Sequence, residues 1–323
     1  MYNGIINVYK EAGFTSHDVV ARLRGICKQK KIGHTGTLDP DAVGVLPVCL
    51  GSGTKLCDML TDWNKEYIAR LQLGVVTDTQ DMSGKILSEA GADQLASLTE
   101  ERVREAVMSY VGAYDQIPPM YSALKVNGKK LYELAREGKE IERKPRTVQI
   151  EEIEIIRMEL PVVEFRVVCS KGTYIRTLCH DIGAKLGCGG AMQSLTRSRV
   201  GDFRLEDSLT LTELEKLRDE NRISDVIISP DAVFVQYQAV SVTEAGQKLV
   251  QNGNCFGMRQ LACTQQAGDG RRITLEQESV SDAKGIHPVE GEWVRVYDGS
   301  GRFYGIYSYC EKERIFKPVK MFL

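Results

Sequence analysis

The chain has 323 residues, 42% hydrophobic and 27% charged, which describes an ordinary folded protein large enough for two domains and excludes a disordered or fibrous one. A net charge of −2 and a pI of about 6.2 exclude a general polycation, so any surface for nucleic acid has to be local. No apolar run approaches a membrane span, and Met1-Tyr2-Asn3-Gly4-Ile5-Ile6 lacks the charged and apolar regions of a signal peptide, so a cytoplasmic protein is expected.

Residues 4–10 read as a short buried strand. Gly13-Phe14-Thr15-Ser16 then leads into a helix capped by Thr15 or Ser16, with Val19, Val20, Leu23, Ile26 and Cys27 in its apolar stripe. Lys28, Lys30 and Lys31 precede an unusual stretch. Between Gly33 and Gly51, four glycines, two prolines and two aspartates fall in nineteen positions. That is too many breakers for a helix and too irregular for a strand. Its second half, residues 43–50, is strongly apolar and should run into the core. Pro40 restricts Asp39 to extended backbone, and Gly36 and Gly44 admit close approach of other groups. A loop both kinked and anchored suits the fixing of one side chain, Asp39. By itself, Asp39-Pro40-Asp41 is also a common turn opener.

Gly51-Ser52-Gly53-Thr54-Lys55 has the wrong spacing for a phosphate-binding loop, and Leu56 follows the lysine, so a glycine-rich helix start is expected. Residues 66–74 alternate, with Tyr67, Ala69, Leu71 and Leu73 on one face of a strand. Thr99 caps a helix whose apolar side holds Val103, Val107, Tyr110 and Val111. Residues 117–138 combine paired prolines with a cationic body, which predicts a protruding segment. From Tyr121 to Arg146 there are eight basic residues, Lys125, Lys129 and Lys130 among them, against four glutamates. This is a local basic face that an RNA could use. Tyr121 and Tyr132 would either stack on bases or pack within their own segment.

Residues 147–157 and 162–169 are two β-rich runs, plausible as an antiparallel pair. Gly172 and Thr173 then turn the chain into a helix ending near Leu186-Gly187. From about Asp231 the pattern changes to short strands and turns. A turn is expected at residues 251–254, and 293–297 with 303–307 form a hairpin. Residues 263–284 suggest no role. Nine cysteines, at 27, 49, 57, 169, 179, 188, 255, 263 and 310, contain no Cys-x-x-Cys pair and read as reduced thiols, most of them in the core. Four scattered histidines argue against a zinc site.

One string decides between these readings of the central loop. His34-Thr35-Gly36-Thr37-Leu38-Asp39-Pro40-x-Ala42-x-Gly44-x-Leu46-Pro47 closely resembles the catalytic-aspartate motif of the TruB family, the bacterial tRNA pseudouridine-55 synthases. Lys65-Glu66-Tyr67 with Leu73-Gly74 resembles the family's second motif, and residues 77–84 its following loop. Ser170-Lys171-Gly172-Thr173-Tyr174-Ile175-Arg176-Thr177 matches its third motif without a gap, and residues 195–201 are similar to its closing strand. Residues 117–138 resemble the insertion that closes over the tRNA arm, and the end of the chain resembles a PUA-type RNA-binding barrel. Lys10-Glu11-Ala12-Gly13 departs from the family in lacking the usual proline after the lysine.

The resemblance implies an α+β fold: a central mixed, mainly antiparallel sheet flanked by helices, plus a small C-terminal β-barrel-like domain. Residues 1–230 would be catalytic, with an RNA-gripping insertion at about 115–146, and residues 231–323 would bind RNA. The implied reaction isomerises uridine to pseudouridine in the T-arm of tRNA. It needs no cofactor and no metal, because no atoms or electrons are gained or lost. Asp39 would attack as a nucleophile or abstract a proton from the sugar. Arg176 would pair with Asp39, so that its loss leaves a buried unpaired carboxylate, costing several kcal/mol. Tyr67 would pack on a base flipped into a dry pocket. His34, Tyr174, Leu195, Lys125, Lys129 and Lys130 would bind substrate. A monomer with no obligate protein partner is expected. The rivals are an RNA-binding, tRNA-folding protein without catalysis, and a guide-RNA-dependent synthase of the dyskerin kind.

Overall fold

The computed structural model describes residues 1–126, 128–262 and 288–323, and the backbone of 264–266 and 272–274. The chain folds as two compact units, one of Asn7–Val48 with Cys57–Arg222, the other of Met1–Ile6 with Cys49–Leu56 and Ile223–Leu323. In chain order the first elements are β1 (Gly4–Lys10), α1 (Ser16–Ile26), β2 (Ile32–His34), β3 (Val43–Leu50), α2 (Cys57–Thr61), β4 (Lys65–Leu73), β5 (Val75–Thr77), β6 (Ile86–Glu89), α3 (Ala92–Ala96) and α4 (Glu100–Met108). There follow β7 (Gly112–Gln116), β8 (Lys125–Val126), β9 (Lys129–Lys130), α5 (Leu131–Arg136), β10 (Arg146–Glu159), β11 (Val162–Cys169), α6 (Ile175–Leu186), β12 (Gly190–Val200), β13 (Phe203–Arg204) and α7 (Leu211–Asp219). The last are β14 (Gln238–Val242), α8 (Glu244–Val250), β15 (Phe256–Gly257), β16 (Leu261–Ala262), β17 (Thr264–Gln266), β18 (Arg272–Thr274), β19 (Trp293–Tyr297), β20 (Phe303–Cys310) and β21 (Ile315–Met321).

The larger sheet runs β1-β3-β12-β4-β11-β10-β7, with β2 on β3 and β13 on β12. The β3–β12 pair is parallel, whereas β4 pairs antiparallel with both β11 and β12, and β10 with both β11 and β7. The fold is therefore the expected α+β, with a mixed and mainly antiparallel sheet. Strand β4 buries every second side chain, so Tyr67, Ala69, Leu71 and Leu73 enter the core. Helices α4 and α6 close over that face with Val103, Val107, Leu178, Ile182 and Leu186. Each fully buried aliphatic side chain contributes about 1.5–3 kcal/mol. The opposite face is ionic: Arg166 reaches Glu66 at 3.2 Å and Glu154 at 2.9 Å. Period-two alternation thus has a direct physical origin in a sheet wet on one side.

Local signals decide the helix ends. Thr15, not Ser16, caps α1: its hydroxyl accepts from Asp18 N at 3.1 Å while the Asp18 carboxylate accepts from Thr15 N at 2.8 Å. Helix α6 stops where Gly187 turns left-handed at φ +79. Residues 51–56 form a 3₁₀ turn running into α2. Helix α4 is shorter than expected. It ends at Met108, so Tyr110 and Val111 lie beyond it, and Val111 is exposed because the chain is already turning at Gly112 (φ +106) into β7.

In the smaller unit six strands run β15-β21-β20-β19-β14-β16, parallel only at β14–β19 among the pairings described, in a nearly closed barrel-like sheet. Val240, Val242, Val294, Val296, Tyr304, Tyr307 and Phe316 fill it. The expected hairpin is β19–β20, its turn organised by Asp298, whose carboxylate accepts from Ser300 N at 2.9 Å and Arg302 N at 3.0 Å. The turn at 251–254 is present. Among the described residues five cysteines are buried, Cys57 and Cys310 are half-buried and Cys255 is exposed. Cys263, like the stretch 263–284 as a whole, falls outside the fully described residues. Among those described, no helix is long and apolar enough to cross a membrane.

Candidate active site

The loop from β2 to β3 carries Asp39 and is clamped on both sides of it. Before it, Leu38 is buried, donating its N–H to Ser16 Oγ at 2.9 Å. After it, the Pro40 carbonyl accepts from Gly13 N at 3.0 Å and from Lys10 Nζ at 2.9 Å. Lys10 is wholly buried and also donates to the carbonyls of Glu11 (3.0 Å) and Phe14 (2.6 Å). Burial pulls its pKa down to about 8, against the opposing charges of Asp39 and Asp41. From β12, the buried Arg197 donates through Nε to Val45 O at 2.6 Å and through a terminal nitrogen to Gly36 O at 3.3 Å. Gly44 lies against this arginine's backbone at φ +108, and a Cβ there would stand 2.3 Å from the Arg197 carbonyl. Only glycine fits.

Arg176, in the first turn of α6, meets Asp39 Oδ1 at 2.8 Å and Asp81 Oδ2 at 3.7 Å. The β5–β6 loop holds Asp81, whose Oδ1 accepts from Thr79 Oγ1 at 2.7 Å and from Ser83 Oγ at 2.5 Å. One guanidinium therefore serves two carboxylates from distant parts of the chain. Burial pushes the Asp39 carboxyl above its usual range, Arg176 opposes that, and Asp81 adds to it. Even so, 35% of the Asp39 side chain is open to solvent. The carboxyl is thus only partly enclosed.

Tyr67 is buried in one core with Leu38, Ala42, Ile175 and Leu195. It lies directly across from Arg197 in the β4–β12 register. Burial pushes the phenol up and Arg197 opposes the rise. Leu195 is two residues before Arg197, opposite Ala69. Tyr174 caps α6 from a half-buried position within the fields of Arg176 and Asp39, its backbone held at both N (2.8 Å) and O (3.0 Å) by the Gln116 amide. His34 is set edge-on to His17, ring centroids 5.5 Å apart. Its Nδ1 accepts from Gly36 N at 3.2 Å, which assigns the ring hydrogen to Nε2, and burial lowers its pKa and keeps it neutral.

The structure thus brings together Asp39, Arg176, Tyr67, Tyr174 and Leu195, with His34 at the start of the loop. Lys125, Lys129 and Lys130 stand apart on the β8–β9 hairpin. Lys125 and Lys129 are exposed, the latter 3.7 Å from Glu137. Lys130 lies over the Tyr132 ring at 5.3 Å and Arg136 lies over it at 5.5 Å, so Tyr132 packs within its own segment. Sequence reasoning assigned no role to Lys10, Asp81 or Arg197. A signal existed for Arg197, which shares a strand face with Leu195 and so had to be buried. No local pattern identifies the other two.

A model described as the TruB family pseudouridylate synthase N-terminal domain matches residues 24–175, and one described as the tRNA pseudouridylate synthase B C-terminal domain matches residues 176–234. A protein of Lachnoclostridium phytofermentans called tRNA pseudouridine synthase B is 52% identical over 99% of this chain and 100% of its own. One of that name from Clostridium acetobutylicum is 49% identical over 99% of each. The chain belongs to the TruB family. Its fold also matches a protein in the structure of an H/ACA RNP bound to a substrate RNA containing 2'-deoxyuridine, with TM-score 0.66, 23% identity, and coverage of 99% of this chain and 85% of that one. A chain of a Cbf5-Nop10-Gar1 complex gives TM-score 0.67 at 25% identity with the same coverage. Asp39, Tyr67 and Arg176 lie within the span of the two family models, Arg176 on the first residue of the second.

Proposed function

We propose that this TruB-family isomerase converts uridine to pseudouridine at position 55, in the T-arm of tRNA, without a guide RNA. The observation that carries the reading is the 2.8 Å Asp39–Arg176 pair, set beside the core that holds Tyr67 and Leu195. The target base flips out of the arm, at a cost of about a few kcal/mol in lost stacking. Tyr67 and Leu195 receive it, Tyr174 borders it, and His34 fills the space it leaves. The Asp39 carboxylate starts the reaction, either by attacking the sugar or by removing a sugar proton. The C–N bond breaks, the base turns, and C5 bonds to the sugar. C5 loses a proton, N1 gains one, and no cofactor takes part. Arg176 keeps Asp39 charged and oriented, and Asp81 fixes the other edge of that guanidinium.

Lys125, Lys129 and Lys130 meet phosphates from the hairpin in the 115–146 insertion. Residues 1–230 carry the chemistry, while 231–323 supply a PUA-type RNA surface. The enzyme works as a cytoplasmic monomer. Relatives 49–52% identical over nearly their whole length support the stand-alone activity, whereas the solved structures are more distant and argue for the fold.

Incubation of the purified chain with one unmodified tRNA transcript, followed by mapping of pseudouridine, tests the proposal. Product at the T-arm uridine without added guide RNA is expected. Tight binding without product would mean an RNA-folding protein, and product only with a guide would mean the dyskerin kind. In the same assay Asp39→Asn should abolish turnover while tRNA affinity stays within about tenfold, or 1.4 kcal/mol. An equal loss of binding would make Asp39 structural.

A further inference from the structure

Helix α6 brings Arg176 to Asp39, yet its start lacks the usual local fastenings. The cap residue, Tyr174, makes no side-chain capping bond, and the first turn holds no acidic residue. The fastening comes from elsewhere. Gln116, the last residue of β7 and 1% exposed, turns its side-chain amide to the Tyr174 backbone. Its Oε1 accepts from Tyr174 N at 2.8 Å and its Nε2 donates to Tyr174 O at 3.0 Å. One amide thus engages both backbone groups of one residue, as a neighbouring strand would. Among side chains of this length only glutamine offers an acceptor and a neutral donor together. Farther along the same turn, Thr177 Oγ1 donates to Gln80 Oε1 at 2.7 Å. Arg176 lies between the two fastened residues. Gln116 also marks a junction. It pairs with Arg146, the first residue of β10, and the chain between them, 117–145, carries the β8–β9 hairpin with Lys125, Lys129 and Lys130. The Arg143 guanidinium donates to Pro118 O at 3.2 Å and closes this neck one step farther out. The side chain that holds the front of α6 therefore stands where the insertion leaves and rejoins the sheet.

We propose that Gln116 is a positioning residue for the isomerisation: by gripping Tyr174 it sets the first turn of α6 where the Arg176 guanidinium meets the Asp39 carboxylate. The inference rests on the proposed isomerisation and deepens it. Gln116 stands outside the reacting groups and acts through Arg176. Without its amide the Tyr174 N–H loses its partner and the turn is free to shift. That shift lengthens the 2.8 Å contact of Arg176 with Asp39, whose strength depends on the geometry of the guanidinium fork. The groups that act on the Asp39 carboxyl are Arg176 from α6, Asp81 from the β5–β6 loop, Lys10 from β1 and Asp41 from its own loop. Burial raises that carboxyl, and Arg176 is the largest influence against the rise. When Arg176 draws back, Asp39 takes up a proton at a higher pH, and a reaction that needs the anion fails sooner on acidification. The lysines of the insertion keep their places, so binding of tRNA is nearly unchanged.

The test is single-turnover kinetics of the full chain across pH, in excess over an unmodified tRNA transcript, with tRNA affinity measured in parallel. Gln116→Met keeps the length of the side chain and removes both hydrogen bonds. It should bind tRNA within about threefold of the native chain. At neutral pH it should react about tenfold to a hundredfold more slowly, the scale of a small misplacement of reacting groups. Its rate should also fall off on the acid side at a higher pH than the native rate does. A slowdown equal at every pH, with that acid limb unmoved, would overturn the proposal and leave Gln116 as a brace for the sheet edge. Native rates would overturn it too. Should Gln116→Met fail to fold, Gln116→Asn decides by the same limb, because its amide is one methylene too short to reach both groups. A native chain that forms no pseudouridine defeats the reading beneath and this inference with it. A working native chain with an unmoved limb in the variant defeats the inference alone.

Discussion

Asp39 illustrates how a side chain proposed to react opposes the stability of its own fold. Burial raises its carboxyl above the ordinary carboxylate range more than Arg176 lowers it. Between the unfolded and the folded pKa the native state holds more protons than the unfolded one, so stability falls as pH rises through that window. Above it the whole penalty of holding the anion is present. Asparagine carries no such penalty, and Arg176 would keep Asp81 at 3.7 Å. Asp39→Asn should therefore unfold at a higher temperature than the native chain at pH 7. With a third of the side chain exposed, solvent screening limits the gain to about 1–2 °C. The gain should shrink on acidification and vanish below the normal carboxylate pKa. Thermal scans of both proteins across pH check this, and a lower melting temperature for the variant at pH 7 would refute it.

The loop that carries Asp39 works as part of two strands. Strand β3 anchors its far end, and the parallel β3–β12 pairing places Gly44 beside Arg197 and Val43 beside Thr196. Gly44 couples those strands because a Cβ has no room and the backbone is at φ +108. Gly44→Ala should cost about 1–3 kcal/mol from the strained backbone, with the clash in addition. It should also slow turnover, because Arg197 and the loop would part. Denaturant titration and the isomerisation assay report the two effects separately, and a loss under about 0.5 kcal/mol would show that the strands yield freely. Helix α6 has the same character. Its first residues carry Tyr174 and Arg176 to the site, and its apolar side from Ile175 to Leu186 fixes where they point.

The division of the chain is not sequential. Met1–Ile6 and Cys49–Leu56 belong with the C-terminal residues. Ile5 exchanges two backbone hydrogen bonds of 2.8 Å with Ile228, and Lys55 Nζ reaches Met321 O at 2.9 Å. A chain cut after residue 222 would strip those N-terminal segments of these later partners. It should melt at least about 4–8 °C below the full chain, corresponding to about 2 kcal/mol of lost pairing. Equal melting temperatures would mean that the larger unit stands without them. The shift from helical to β patterning at about Asp231 is visible along the chain. The return of two early segments to the later unit has no local signature.

Asp39, Tyr67 and Arg176 were legible because each stands in a contiguous string, and strands such as β4 and helices such as α1 were legible because period and capping are local properties. The order of the strands and the Asp81 edge of Arg176 were decided only in three dimensions. So were the Lys10 clamp on Pro40 and the placement of Arg197 opposite Tyr67. Each of these joins residues far apart in the chain, or depends on which charges lose their water. Burial of a cation becomes tolerable only when folding brings acceptors to it from several segments at once.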